Sequence, residues 1–283
     1  MKKYFLVVVA FVMLVITSCQ KEIDWGTSNN QSSSGDLLVK SVSKSGTDSV
    51  ITLYTYNAAR KIMKEKITGI SGGIDASNEF RYYRNTSNII THYTQINPNL
   101  SAVGIDSVVT QVNYNSTSGR YTSTVSEISL MGFSVRDSTV LVYGANGKVT
   151  NTDLYQSIPL ISPVYEISLR VKYTYDAAGN LTQQDFFSVD PLTLVEDPVS
   201  IIKYTYDTKT AAIKFDNESF VMGKADNVSV NNATKVEFID INTPSNGFIN
   251  SNVFTYNSSN RPGTAVSTRT PGSVVNNITF FYK

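Results

Sequence analysis

The sequence has little of the residue types on which most metal and nucleophilic sites depend. Its 283 residues include one cysteine, Cys19, and one histidine, His92. A single thiol allows no disulfide within the chain, and a zinc site uses several histidines or cysteines at fixed spacing. HExxH, CxxC, P-loop and GxGxxG patterns do not occur. We therefore expect no metal and no cofactor.

Charge is also scarce. Only 17% of the residues are charged and the formal net charge is +1, and because no basic patch is visible, no nucleic-acid partner is expected. His92 stands alone in a strand-like run and is expected to be a packed or solvated residue. A glycan hydrolase needs only two carboxylates, but spacing singles out no pair among the candidates, Glu79, Asp153, Glu166, Asp185 and Glu237. We predict that the chain is not an enzyme, with a carboxylate-dependent hydrolase as the alternative.

The chain begins with an export signal. Lys2 and Lys3 precede an uncharged apolar run over residues 4–16, which is shorter than the about 20 residues of a membrane-spanning helix but suits a signal peptide. The run ends in Ile16-Thr-Ser-Cys19, which resembles the lipobox of bacterial lipoproteins. The resemblance implies that residues 1–18 are removed and that the Cys19 thiol carries the lipid, with acyl chains such as palmitate. An uncleaved helix with an incidental cysteine is the alternative.

The residues after Cys19 indicate a destination. Residues 20–24 read QKEID, which resembles the short charged signal that directs lipoproteins of Bacteroidota to the outer face of the outer membrane. The expected location is therefore the outer membrane, lipid-anchored, on the cell surface; a charged linker facing the periplasm is the alternative. The polar stretch that follows predicts a flexible tether, so residues 19–35 form the lipidated tether and residues 36–283 a single β domain.

A tyrosine motif repeats along this domain at a period of about 30 residues, which indicates a repeat architecture. Each copy has an aromatic residue before Asn, Asp or Gly and then small turn-forming residues. The last step is longer and is expected to hide a degenerate copy. The reference tyrosines are Tyr56, Tyr83, Tyr114, Tyr143, Tyr175, Tyr206 and Tyr256.

Each repeat predicts a β-hairpin. From Tyr165 to Asp176 apolar and polar residues alternate strictly, as in a strand with one buried face and one wet face. In the turn that follows, Gly179 is expected at positive φ. Counting such runs gives about sixteen strands. A short helix, if one exists, is expected around Glu218 to Lys224.

The best copy of the motif, YTYDAAGNLTQ from Tyr173, resembles the YD repeat of Rhs-type proteins. With the lipobox, the mature chain resembles Bacteroidota outer-membrane lipoproteins of unknown function that carry degenerate YD-like hairpin repeats on a porin-like meander. The resemblance implies one large antiparallel sheet. The spacing here is wider than in the usual YD repeat, so only the Tyr-x-Tyr-Asp turn carries over, and the toxin-cage function of Rhs proteins is not implied.

The predicted fold class is all-β. Sheets beyond about ten strands curl, split or close, so we expect a large up-and-down meander, curled or closed like a barrel. It is expected to be soluble rather than membrane-spanning, because the outward face would contain many Thr, Ser and Lys residues. Two packed sheets and a spanning barrel stay open. The motif tyrosines are expected to pack as cross-strand pairs.

The two ends of the predicted sheet differ. The tyrosine turns are short, whereas the opposite connections are longer and contain proline or apolar residues: residues 97–105, 157–164, 189–199 and 217–233. Long loops are where binding sites tend to lie, although their Leu and Ile residues could equally plug the open end. The predicted function is a surface-exposed binding or scaffold module whose ligand is a glycan or an envelope or host protein. A purely structural envelope protein is the alternative.

Three serines match a modification pattern. Ser49, Ser107 and Ser138 each follow an aspartate and precede Val or Thr, which resembles the O-glycosylation sequon of exported Bacteroidota proteins. All three are expected where a loop leads into a strand, with accessible hydroxyls. The alternative is turn chemistry, in which Asp and Ser side chains satisfy local backbone donors.

The lipid anchor is directly testable. Cys19→Ala removes the only thiol, so we expect loss of metabolic lipid labelling and release of the protein from the membrane fraction, because no other segment of the sequence reads as a membrane-spanning helix. Fractionation before and after a carbonate wash measures this. A Cys19→Ala protein that stays membrane-bound after the wash would contradict the anchor and favour the spanning barrel.

Overall fold

The computed structural model describes residues 36–283 apart from 102–103, 131–132 and 159–161. Its strands form one antiparallel sheet, and strand β1 is hydrogen-bonded to both β2 and β17, so that the sheet closes into a barrel. Sixteen strands form the wall; the two-residue β4 pairs only with the end of β3, which also pairs with β5. The predicted all-β meander is confirmed, and its closed form is the one observed.

The strands run in chain order around the barrel, and helices are few and short. The elements are β1 Leu38–Ser45, β2 Asp48–Tyr56, β3 Ile62–Ser71, β4 Ile74–Asp75, β5 Asn78–Arg84, β6 Ile90–Ile96, α1 Pro98–Ser101, β7 Val108–Asn115, β8 Arg120–Leu130, β9 Phe133–Tyr143, β10 Val149–Ile158, β11 Ser162–Tyr175, β12 Leu181–Val189, β13 Glu196–Thr210, α2 Glu218–Val221, β14 Asn231–Asp240, β15 Phe248–Tyr256, β16 Pro262–Thr270 and β17 Val274–Tyr282, with 3₁₀ turns at Ala225–Val228 and Pro244–Asn246.

An Asn or Asp at the end of the motif closes most of the short turns. The side-chain oxygen of Asn57 accepts a hydrogen bond from the backbone N–H of Lys61 at 3.0 Å, and that of Asp176 accepts from Asn180 at 2.8 Å. The equivalent bonds recur in the turns that begin at residues 85 and 257. Asn and Asp favour turns because their side chains bond local backbone in this way. We call this end of the barrel the turn end and the opposite end the loop end.

Five tyrosines of the motif point into the barrel and donate their hydroxyls to the backbone, whereas Tyr83 lies on the outer face against His92 and the Tyr256 hydroxyl bonds the Asp207 carboxylate. The Tyr56 hydroxyl donates to the carbonyl of Leu38 at 2.7 Å, and Tyr175 donates to Val149 at 2.8 Å. In every case the acceptor lies at the turn-end start of the preceding strand. Tyr282, a copy that the period count missed, makes the same contact. The remaining pairs are Tyr143 to Tyr121, Tyr206 to Leu181 and Tyr282 to Pro262.

Two sequence predictions about the region after Tyr206 are wrong. The long step to Tyr256 hides no degenerate repeat; it contains an insertion over residues 211–230. This insertion joins β13 to β14 at the turn end, so the segment 217–233 does not lie among the loop-end connections. The physical reason is its apolar content, which packs between the tyrosines inside the barrel. The short helix predicted near Glu218 is confirmed as α2.

Gly179 tests the turn assignment. Its φ is +99°, as predicted, and a Cβ there meets only the Lys148 amine at 3.5 Å. Gly179→Ala should therefore destabilise the protein by roughly 1–2 kcal/mol through backbone strain rather than a clash. Gly263→Ala is the matched control, because Gly263 lies in β16 without a positive φ and with space for a Cβ. Equal midpoints for both variants in urea unfolding would contradict the strain argument.

Candidate functional site: a plugged barrel with a polar inner wall

The insertion over residues 211–230, called the plug from here on, closes the turn end from within. Phe215, Phe220, Val221 and Met222 of the plug are buried in one cluster with residues from strands all around the barrel. The ring of Phe220 meets that of Tyr173 edge-on at 4.9 Å between centroids. A buried aromatic or aliphatic side chain of this size contributes roughly 1.5–3 kcal/mol. The plug is therefore part of the hydrophobic core.

Two ion pairs fix the plug to the wall. Glu218 of α2 accepts two hydrogen bonds from Arg84 of β5, both at 2.9 Å, and the Arg84 side chain is only 2% exposed. The Tyr121 hydroxyl also contacts Glu218, and burial together with that carboxylate raises the tyrosine pKa. On the neighbouring strand β3, the buried side chain of Glu65 pairs with Lys224 of the plug. Charges this buried persist only when paired.

Hydrogen bonds also hold the C-terminal part of the plug. Asn180, the last residue of the Tyr175 turn, is 2% exposed, and its amide oxygen accepts the N–H groups of Val230 and Asn231 at 3.0 Å. The Ser229 hydroxyl lies 2.8 Å from the Tyr206 hydroxyl and accepts the N–H of Leu181 at 3.1 Å. The repeated turns therefore position the plug.

Between the plug and the loop end, the inner wall is polar rather than apolar. Strand register places mostly uncharged polar residues on the inward face towards the loop end, and we call the space that they line the cup. Asn250 and Asn276 are half-buried, and both lie beside strand β16 on the inner face. Among the described residues, the inner-wall side chains with buried polar atoms that lack a hydrogen-bond partner include Ser41, Thr52, Asn78 and Asn276, and nearer the plug the Tyr82 hydroxyl. Buried polar groups normally have partners.

The loop-end rim contains aromatic pairs capped by arginines. The rings of Phe238 and Phe248 stack at 5.2 Å, with the Arg269 guanidinium 3.8 Å from the Phe248 centroid. Tyr155 and Tyr165 stack at 5.9 Å near the same end. Three of the four most exposed large apolar side chains among the described residues, Leu192, Ile74 and Leu194, also lie at the loop end, whereas the fourth, Val253, lies within β15. Aromatic faces of this kind suit stacking ligands.

The outer wall is charged. Arg170 makes a bidentate pair with Asp153 at 2.7 Å and bonds Glu196 at 2.8 Å, and Lys172 bonds the same glutamate. The bond with Lys172, and after it the bond with Arg170, lowers the pKa of Glu196. A second cluster joins Glu79 to Lys64 and Arg81 on the face opposite the buried Phe80. No helix among the described residues is long and apolar enough to cross a membrane.

Most of the residues weighed for catalysis lie on the outer wall. Glu79, Asp153 and Glu237 are paired with lysine or arginine there, and Asp185 bonds Gln183. Glu166 of β11 lies opposite Gln156, whose amide donates a hydrogen bond to Asp137. The His92 ring stacks on Tyr83 at 4.4 Å on the outer face of β6, in agreement with a packed residue. No group of three His, Cys, Asp or Glu side chains in the described part of the chain could hold a metal ion.

The sequence also contains one pattern that is typical of serine hydrolases. Residues 69–73 read GISGG, which matches the spacing of the serine-hydrolase GxSxG elbow. That elbow needs a strand-to-helix turn and a partner histidine. Here Ser71 ends β3, and a glycine turn leads to β4 rather than to a helix. The local structure therefore does not match a nucleophile elbow.

The proposed modification sites differ in accessibility. Cys19 and the tether lie outside the described residues. Ser49 is the second residue of β2 and half-buried, and Ser107 lies exposed directly before β7, as predicted. The expected position of Ser138 is wrong: it lies in the middle of β9, paired with Val125 and Tyr155, and is 7% exposed. The sequence pattern missed this because β9 begins earlier, at Phe133.

Comparison with known proteins matches the fold alone. The barrel is similar to the crystal structure of a porin-like protein from Bacteroides uniformis, with a TM-score of 0.50, 10% identity and coverage of 88% of this chain and 98% of that chain. A porin-like protein from Bacteroides vulgatus gives a TM-score of 0.52, 12% identity and coverage of 88% and 99%. No protein-family model and no curated protein matches the sequence.

Breaking the Arg84–Glu218 pair tests how firmly the plug is held. Glu218→Gln keeps the volume but leaves a buried guanidinium without its counter-charge, so we expect a loss of about 3 kcal/mol in the free energy of unfolding. The matched control is Glu237→Gln, which breaks the exposed pair with Lys235 and should cost less than about 1 kcal/mol. Urea unfolding of the unlipidated mature chain measures both. Equal losses would contradict the anchoring role of Glu218.

Proposed function

We propose that this protein is a non-catalytic, lipid-anchored protein of the outer membrane whose barrel stands at the cell surface and binds a neutral glycan in the cup. The observation on which this depends is the combination of a plugged turn end with an uncharged polar inner wall. A barrel closed at one end is a receptacle rather than a passage. Ligand sites are concave and hold a few well-placed polar groups beside apolar surface.

The lining of the cup suits sugar hydroxyl groups. An asparagine side chain donates through its NH₂ group and accepts through its carbonyl oxygen, so it pairs with a hydroxyl in either direction. Asn250 and Asn276 face the interior from β15 and β17, and neighbouring strands are about 4.8 Å apart. Phe248 on β15 adds an aromatic face for stacking. The charged residues on the inner wall include Asp137 of β9, which accepts a hydrogen bond from Gln156, and Arg269 of β16, which lies opposite Asn250. These two have opposite charges, whereas a charged ligand would need several charges of one sign.

The outer wall supports a barrel that lies outside the bilayer. A spanning barrel needs an outward apolar band about 25 Å tall. Here the ion-pair cluster of Asp153, Arg170 and Glu196 and the cluster around Glu79 occupy the outward face. Charges on a lipid-facing wall cost about 2–4 kcal/mol each near the bilayer midplane. A lipid on Cys19 then supplies the attachment that the wall does not.

Glycan binding is tested on an array of neutral and acidic oligosaccharides probed with the labelled mature chain. We expect binding to neutral glycans that falls by roughly ten-fold or more in Asn250→Ala/Asn276→Ala, because each lost hydrogen bond weakens binding by about 1 kcal/mol. The matched control is Ser251→Ala/Asn277→Ala, which changes the exposed neighbours on the outer face.

The outcomes separate clearly. Binding that both double variants lose equally would place the ligand outside the cup. Binding confined to acidic glycans, or to none of the array, would refute the proposed ligand class. In the last case the protein would be left with the structural role that needs no ligand.

A further inference from the structure

Charge is distributed unequally along the barrel axis. At the turn end four basic side chains contact neutral groups and a fifth is exposed: Arg120, Lys148 and Arg261 lie over tyrosine rings, Lys209 bonds Asn260, and Lys283 is exposed. Several acids there are paired, as Asp36 is to Arg60, Asp216 to Lys214 and Glu218 to Arg84. The loop end instead collects aspartates, namely Asp48, Asp75, Asp106, Asp190, Asp197 and Asp240.

Two clefts open beside the plug at the same positive end. One has a volume of about 320 Å³, and its lining contains Arg60, Lys61, Lys214 and Arg261 together with the acids Asp36, Asp216 and Glu218. The other, of about 290 Å³, contains Lys148 and Lys214 together with Asp216. In each lining the basic side chains outnumber the acidic ones by one, which leaves one cation for a phosphate group. The turn end therefore provides sites for individual phosphate groups in addition to its attraction for an anionic surface.

The chain enters the barrel at this end. Leu37 exchanges two backbone hydrogen bonds with Lys283, at 3.3 and 3.0 Å, and Asp36 pairs with Arg60 of the first turn. Residues 20–35 separate Asp36 from Cys19 in the sequence. A flexible chain of this length has a root-mean-square span of about 20–25 Å. A lipid on Cys19 would hold the turn end, rather than the loop end, close to the bilayer.

We propose that the turn end is a membrane-docking face and that its occupant is the anionic surface of the bilayer in which the lipid anchor sits. This proposal rests on the lipid anchor of the proposed function. Lys148, Lys209 and Lys283 contact headgroup phosphates, and the two clefts accept individual phosphate groups. The barrel then stands with the plug towards the membrane and the mouth of the cup away from it.

Lysine footprinting on vesicles tests the orientation. The thiol of Cys19 in the unlipidated mature chain is coupled to a maleimide lipid, so the result does not depend on whether cells acylate Cys19. Vesicles of phosphatidylcholine alone are compared with vesicles that contain phosphatidylglycerol, and acetylation of each lysine is read by mass spectrometry. We expect protection of Lys148, Lys209 and Lys283 on the anionic vesicles, with Lys66 and Lys203 of the outer wall unchanged.

Salt and a charge variant provide the controls. At 1 M salt the Debye length falls to about 3 Å, so the protection should disappear. Each lysine near an anionic surface contributes roughly five-fold to the docking equilibrium, so Lys148→Gln/Lys209→Gln/Lys283→Gln should weaken docking about 100-fold, read from the protection of Lys61 and Lys214 beside the clefts. The matched control is Lys66→Gln/Lys203→Gln, on the exposed outer wall, which should leave protection intact.

The contrary results are distinct. Uniform labelling of all lysines on anionic vesicles, or protection of the outer-wall lysines instead, would overturn the docking face. Wild-type protection that survives high salt would also overturn the electrostatic basis. Failure of the anchor itself would appear separately, as a Cys19→Ala protein that stays in the membrane fraction of cells.

Discussion

The contact on which the barrel depends is the hydrogen bond from a motif tyrosine to the first backbone carbonyls of the preceding strand. A buried tyrosine hydroxyl needs a hydrogen-bond partner, and a backbone carbonyl at the start of the preceding strand accepts its hydrogen bond. Tyr56, Tyr143, Tyr175, Tyr206 and Tyr282 all make this contact. Because each bond joins one strand to the one before it, the repeat sets the register of hairpin after hairpin. A belt of aromatic rings inside the turn end is the consequence.

That belt explains why a plug is needed and where it lies. Sixteen strands enclose more space than a ring of tyrosines fills, since barrels of this strand number can hold a channel. Phe215, Phe220, Val221 and Met222 fill the remainder. The insertion enters after Tyr206, at the one place where the motif has no short turn. Its charged residues, Glu218 and Lys224, then need wall partners, and Arg84 occupies the motif position where other repeats place a tyrosine. The wall therefore has charged residues at the positions where the charged residues of the plug need partners.

Local pattern predicted the barrel well and the plug poorly, for physical reasons. The alternation of apolar and polar residues from Tyr165 to Asp176 indicates a strand with one buried face, because this pattern depends only on neighbouring residues. The Asp176–Asn180 turn is also predictable, because Asp and Asn side chains bond nearby backbone groups. The closure of β1 on β17 and the Glu218–Arg84 pair join residues far apart in the sequence, and no local period reports such contacts. The cup lining was missed likewise, because Asn250 and Asn276 become neighbours of β16 only once the sheet is folded. The Asp137-Ser138 pair wrongly predicts a strand start, because two residues alone do not show that β9 already begins at Phe133.

The direction of the barrel axis links the fold to the proposed role. In an up-and-down barrel every second connection lies at the same end, so a repeat that shortens one set of turns leaves the longer loops, apart from the plug, at the other end. Here the short turns coincide with the first described residue, the plug and the basic side chains, whereas the aspartates and the aromatic pairs lie at the loop end. An anchor before Asp36 would draw the closed, positive end towards lipid phosphates. The same geometry would leave the polar cup facing outward, so membrane attachment and ligand access would not compete for one surface.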